Sequence, residues 1–275
     1  MNEPIVTKLK LESGSKLVRF SDIQDAYWYD NPENNPFGIS IRNLGHRSNS
    51  DRRQLDQYFK ERSILTQRKI DIMNKAKSEF QRDPEFLKLV YKGKSLKRKF
   101  EINKFVGNLS IVDYAKGADK IFKKSVPGAK KQTLNMAFQV GTFVGGNYVD
   151  AFTRILKTIM MCQAMNINVN IDVFDSDVSG IDDGLGYCII NVAKSSEKIN
   201  FIKILTASHE EFFRYTLFNG YSAYGNPRDT HINGFIGTNR ITKDLGPMYD
   251  VIGGNLLNNE SNEMLSKILK IGIHE

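Results

Sequence analysis

The chain predicts an α/β fold. A Rossmann-like sheet with flanking helices is expected in the C-terminal part, 131–275, preceded by a mixed α+β part, 1–130. Residues Leu134 to Asp175 read as a buried strand (LNMAFQVG), a glycine-bearing loop (TFVGG), a long amphipathic helix (NYVDAFTRILKTIMMCQAMN) and a second strand (INVNIDVFD). That spacing is one βαβ unit, for which a right-handed crossover is expected. Gly186 to Lys194 (GYCIINVAK) follows too closely for a helical crossover and predicts an antiparallel strand. Asn200 to Asn219 then carries Phe201, Ile204, Leu205, Phe212, Phe213 and Leu217 at helical spacing, with Gly220 at the C-cap position.

Taken in order, residues 1 to 20 alternate weakly and predict two short strands around Ser13-Gly14. Ser21-Asp22 caps a short helix through Tyr29, anchored by Ala26-Tyr27-Trp28-Tyr29. The turn formers of DNPENNPFG make a loop, and Ile39-Ser40-Ile41 a brief strand. From Asp51 to Gln81 apolar residues recur at three- and four-residue steps from Leu55 to Phe80, predicting a surface packing helix that Pro84 ends. After the second helix of the C-terminal part, Tyr221 to Asp244 reads as loop, with a short strand at Phe235-Ile236. Ser261 to Gly272 is expected to be a terminal helix, through Met264, Leu265, Ile268 and Leu269.

With 40% hydrophobic and 25% charged residues over 275 positions, the composition is that of a globular protein with a sizeable core. No apolar run reaches the roughly 18 residues needed to span a bilayer, and the N-terminus carries no apolar signal core. The expectation is a soluble protein of the cytoplasm, or of an assembly built there, with no membrane partner. Cys162 and Cys188 fall in a helix and a strand, where buried free thiols are the ordinary reading.

The net charge of +8 is localised. Residues 88–131 hold thirteen Lys or Arg against Glu101, Asp113 and Asp119, a balance of +10, so the remainder carries −2. Within that segment Tyr91, Phe100 and Phe105 alternate with Lys92, Lys94, Lys97, Arg98, Lys99 and Lys104. Cations with interleaved aromatics hold a single-stranded backbone while bases stack, so these six are the candidate nucleic-acid-binding residues. The plainer reading is a solvated edge hairpin, whose lysines block edge-to-edge pairing.

Two loops resemble ligand sites and fall short. Gly141 to Tyr148 has the glycine spacing of a phosphate-binding loop, but Asn147 stands for the lysine and Tyr148 for the magnesium-binding hydroxyl. A tight turn at Gly145-Gly146 and an N-cap by Asn147 are expected there instead. Asp175, Asp177, Ser179 and Asp183, with Gly180 at the turn, follow a calcium loop until its twelfth position, where Gly186 replaces the bidentate glutamate. They are the candidate ligands for a divalent cation, against the reading of a polar hairpin turn; no other cofactor is expected. His46, His209, His231 and His274 lack ligand spacing, and Asp229, Arg228 and Arg240 lie beside His231 in a loop-rich tract.

The order strand, glycine loop, helix, strand, acidic turn, antiparallel strand and helix over residues 130–225, with GGNYVDAFTRILKTIM followed by INVNIDVFD, resembles a von Willebrand factor A-type (VWA) domain of the kind bacteriophages encode. Members with a metal-dependent adhesion site carry Asp-x-Ser-x-Ser after the first strand. Gln139, Gly141 and Phe143 occupy those positions here, and the last two supply no side-chain oxygen ligand. The resemblance thus implies a degenerate VWA-like domain without the usual metal site, binding partners by shape. It implies a non-enzymatic interaction or scaffold protein, virion-associated or structural, with a protein partner or self-assembly, acting in the host cytoplasm. A nucleic-acid binder using residues 88–131, akin to Ro-type RNA-binding proteins that contain a VWA domain, is the alternative, and an enzyme ranks third.

Overall fold

The computed structural model describes residues 3–34, 57, 60–61, 64–82, 84, 133–139, 148–164, 167–177, 186–197, 199–208, 212, 216 and 238–253. Its strands are β1 (Val6–Lys10), β2 (Lys16–Phe20), β3 (Thr133–Gln139), β4 (Asn168–Asp177), β5 (Gly186–Ala193) and β6 (Val251–Gly253). The helices are α1 (Ile23–Tyr27), α2 (Gln67–Arg82), α3 (Tyr148–Ala164), α4 (Phe201–Ala207) and α5 (Thr238–Leu245), with 3-10 turns at Trp28–Asp30 and Pro32–Asn34.

The six strands form one mixed sheet in the order β1-β2-β5-β4-β3-β6. β3 and β4 are parallel and joined through α3, and β5 returns antiparallel to β4. The α/β class, the βαβ unit and the antiparallel return therefore stand as the sequence predicts. β2 runs parallel to β5, pairing Lys16 with Gly186 and Phe20 with Ile190. The first twenty residues are thus hydrogen-bonded into the same sheet as residues 133–253, across the division expected at 130/131.

Local chemistry explains the ends of the elements. The β1–β2 hairpin closes with Leu11 N–H on Ser15 O at 2.8 Å and Gly14 N–H on Leu11 O at 2.9 Å. This three-residue loop ends on Gly14 at φ 85°, the left-handed position that favours glycine. Asp22 caps α1, accepting from Gln24 N–H, and Asp25 returns a bond to Asp22 N–H as in a capping box. Asn200 caps α4 by accepting from Lys203 N–H at 3.1 Å.

The helix expected continuously from Asp51 to Gln81 is broken before α2. Thr66 Oγ1 accepts from Lys69 N–H at 3.3 Å as a new N-cap, and Lys69 Nζ donates to Glu61 O and Ile64 O, both at 2.7 Å. A lysine bridging the carbonyls of the preceding turn stabilises that stop better than the periodicity sustains a continuous helix.

Two hydrophobic layers sandwich the sheet. On one face Val18, Phe20, Met136, Phe138, Ile171, Val173 and Ile190 meet α1, α2, α3 and α4. α3 is buried nearly all round, with Phe152, Ile155, Ile159 and Met161 at 1% exposure or less, because it lies between the sheet and α2. On the other face Leu17, Ala137, Phe174, Tyr187 and Ile189 pack under Ile241 and Leu245 of α5. α5 lies within the tract expected to be loop, and β6 follows it. Cys162 and Cys188 are buried free thiols, as expected. No helix among the described residues is long and apolar enough to cross a membrane. The expected strands at 39–41 and 235–236, the terminal helix at 261–272 and the helix beyond Ser208 lie outside the described residues or are described only at Phe212 and Thr216.

Asp22 also receives Lys203 Nζ at 2.6 Å, tying α1 to α4 across the 130/131 division. Asp22→Ala removes both cap and ion pair and is expected to lower stability by about 1–2 kcal/mol, read by urea unfolding. Phe152→Ala, at the centre of the larger core, is expected to cost about 3–5 kcal/mol in the same measurement.

Candidate functional site

The densest polar constellation among the described residues lies on the α5 face of the sheet, where β4 passes between β3 and β5. The β4–β5 register shifts between Ile171 and Asp172: Ile171 faces Ala193 while Asp172 faces Asn191. Val192 is the extra residue of a β-bulge, a device that bends a strand and re-aims its side chains. Asn191 spans the irregularity, with Nδ2 donating to Asp172 Oδ1 at 2.8 Å and lying 3.3 Å from both Ile171 O and Ala193 O.

Asp172 is 1% exposed. Its Oδ2 accepts from Arg19 Nη2 at 2.8 Å and from the Tyr249 hydroxyl at 2.6 Å. A buried carboxylate is tolerated only when such donors replace its hydration, and here three side chains do so. Arg19 remains 45% exposed, so one side of its guanidinium holds Asp172 while the rest meets solvent. Burial, followed by the charge and hydrogen bond of Asp172, pushes the Tyr249 phenol well above its ordinary value.

A second buried acid sits at the end of the sheet where β2 and β5 begin. Asp244 of α5 accepts on Oδ2 from Ser15 Oγ and from the Tyr187 hydroxyl, both at 2.8 Å, and Ser13 Oγ donates to Ser15 Oγ at 3.0 Å. This cluster fastens α5 to the turn before β2. At the other end Asn135 N–H donates to Asp250 Oδ2 at 2.7 Å and Asp250 N–H to Asn135 O at 2.9 Å, holding the approach to β6 against β3. Asn170 Nδ2 donates to Asn135 Oδ1 at 2.8 Å, and Ser195 N–H donates to Asn170 Oδ1 at 2.8 Å, extending an exposed amide row across the strands.

Of the cation candidates, Asp175 lies within β4 rather than in a turn, buried and paired in register with Cys188. Burial, and secondly the Asp175 carboxylate, push the Cys188 thiol up. Asp177 is the last residue of β4, so the strand runs two residues further than the sequence suggests, while Ser179 and Asp183 lie outside the described residues. No group of three metal-ligating side chains occurs among the described residues. Gln139 ends β3, paired with Phe174. Gly141, Phe143, the loop to Asn147 and the nucleic-acid candidates Lys92, Lys94, Lys97, Arg98, Lys99 and Lys104 lie outside the described residues, as do the four histidines.

Sequence reading does not single out Arg19, Asp172, Asn191 or Tyr249. The available signal is the polar alternation Asn168, Asn170, Asp172 inside an otherwise apolar strand, which marks one face of β4. As an arrangement, both oxygens of Asp172 already accept hydrogen bonds, which makes it an anchor for neighbouring strands.

Tyr249→Phe is expected to cost about 1–2 kcal/mol at neutral pH. Because the folded phenol titrates above its unfolded value near 10, its contribution is complete below pH 10 and declines as pH rises toward the folded value. Urea midpoints of wild type should therefore fall more between pH 9.5 and 11.5, flagged as an approximate window of about two units, than those of Tyr249→Phe.

No family model matches the chain, and no curated protein or solved structure is significantly similar to it.

Proposed function

We propose that this protein is a non-enzymatic interaction or scaffold protein on a VWA-like sheet, of the kind a bacteriophage builds into or beside its virion in the host cytoplasm. The observation that carries the reading is the parallel β3–α3–β4 unit continued by antiparallel β5 and then α4, the element order on which the resemblance rests. The clusters around Asp172 and Asp244 add support, since their acids join strands and helix to one another. Such a domain acts through its surface, and the fold by itself assigns no chemistry.

Affinity capture of the full chain under native conditions, with mass spectrometry and nucleic-acid detection, tests this. A stoichiometric protein partner or a defined homo-oligomer is the expected result. A monomer that captures neither overturns the proposal.

The second reading is nucleic-acid binding, favoured by the +10 balance of residues 88–131. In that case affinity for a single-stranded oligonucleotide falls steeply with salt. Replacing Lys97, Arg98 and Lys99 together by alanine should weaken binding and reduce the slope of log K against log salt by about 3. An unchanged affinity removes this reading.

A further inference from the structure

We propose that the outer edge of β1 is a docking site for an acidic, extended polypeptide segment of a protein partner, which adds to the sheet as a further strand. The proposal rests on the interaction-protein reading and names the surface and the partner's chemistry.

β1 ends the strand order and, among the described residues, pairs only with β2. Thr7, Lys8, Leu9 and Lys10 are all exposed. The register tells which backbone groups face outward. Leu11 N–H donates to Ser15 O and Ser21 N–H to Ile5 O, so the odd-numbered residues from Ile5 to Leu11 form the hydrogen-bonded pairs with β2. The N–H and C=O groups of Val6, Lys8 and Lys10 consequently point to the open edge, a row that pairs with an added strand.

This edge is a preformed template. Ile5 N–H is held by Asp25 Oδ1 at 3.1 Å at one end, and the hairpin turn closes the other. A guest therefore orders only itself on binding, which lowers the entropic cost.

The side chains define the guest. Lys8 and Lys10 project to one face, where Lys16 stands directly opposite Lys10, so three lysines gather on one face of the hairpin. Like charges placed opposite each other across strands are destabilising, and an acidic neighbour relieves them. The other face of β1 offers Thr7 with Ile5 and Leu9, which are 66% and 46% exposed. Directly opposed residues project to the same face, so the matching guest alternates acidic residues, facing Lys8 and Lys10, with apolar ones facing Thr7 and Leu9.

Two other occupants fit less well. In a second copy paired antiparallel through β1, the register centred on Lys8 sets Lys8 against Lys8 of that copy. A nucleic acid would meet the lysines but not the outward amide row, and Phe20, the aromatic of the hairpin strands, is fully buried and cannot stack on a base.

The test titrates the full chain with a short capped peptide of alternating valine and glutamate, followed by fluorescence anisotropy. The wild type is expected to bind, and K8E/K10E, which alters exposed side chains alone, to bind more than about tenfold more weakly. K8P removes an outward N–H without touching the β1–β2 bonds, so it should bind several-fold more weakly than K8A, with both variants melting cooperatively. Equal binding of a proline-interrupted glutamate peptide shows simple ion pairing and overturns strand addition. Unchanged binding by K8E/K10E, or no binding by wild type, overturns the site, as does an oligonucleotide that displaces the peptide. A dimer that K8P dissolves overturns the assigned occupant. Failure here beside a partner found by native capture rejects this edge and leaves the interaction-protein reading standing.

Discussion

The carboxylate of Asp172 is the constraint on which the sheet depends. It sits in β4, yet its partners come from β2 through Arg19, from β5 through Asn191 and from the segment after α5 through Tyr249. One buried charge thus couples the beginning, the middle and the end of the described chain. A hydrophobic residue there would pack without preference for register. A buried anion must find these three donors, and it finds them in only one alignment of the strands. We regard this as specificity bought with stability, since buried ion pairs often add little net free energy while their rupture is costly.

The β-bulge at Val192 belongs to the same device. Without the extra residue, Asn191 would be displaced from Asp172 by one position, and a one-residue slip turns every later side chain of a strand to the opposite face. With it, Ala193 joins the helix-layer core while Asn191 stays on the α5 face, close to the carbonyls on both sides of the irregularity. The polar cluster and the local strand geometry therefore support each other.

Legibility in the sequence followed pattern length. β3, α3, β4 and β5 were readable because each holds a long run with one period and lies against core on both sides. The hairpin at Ser13-Gly14 was readable from turn chemistry. α5 was not, since TNRITKDL offers only Ile241 and Leu245 as apolar anchors amid residues that also favour turns. β6 is three residues long, below the length at which alternation can be seen. The end of β4 was obscured because Asp175 and Asp177 look like loop residues, whereas pairing with Cys188 and Gly186 keeps them in the strand. The Asp172 cluster was legible only as alternation, because its other members lie 153 positions upstream, 19 downstream and 77 downstream, read directly from the residue numbers. Tertiary pairing of that kind leaves no local trace. Of the candidate site residues named from sequence, only Asp175 has a described side chain, and it is a buried strand residue.

The two ends of the sheet order are finished differently, and that difference follows from the same anchoring. β6 is short, and Asp250 clamps its approach to β3, so little of that edge is a regular ladder. β1 is a full five-residue strand held straight by a closed hairpin and by the Asp25 contact at Ile5. Arg19 lies between Val18 and Phe20 on β2, and its bond to Asp172 fixes β2, and through it β1, against the body of the sheet. An edge that is rigid, regular and lined with lysines resists its own kind while remaining able to pair with a strand of opposite charge. The anchor that sets the interior register therefore also determines the geometry of the surface the protein presents.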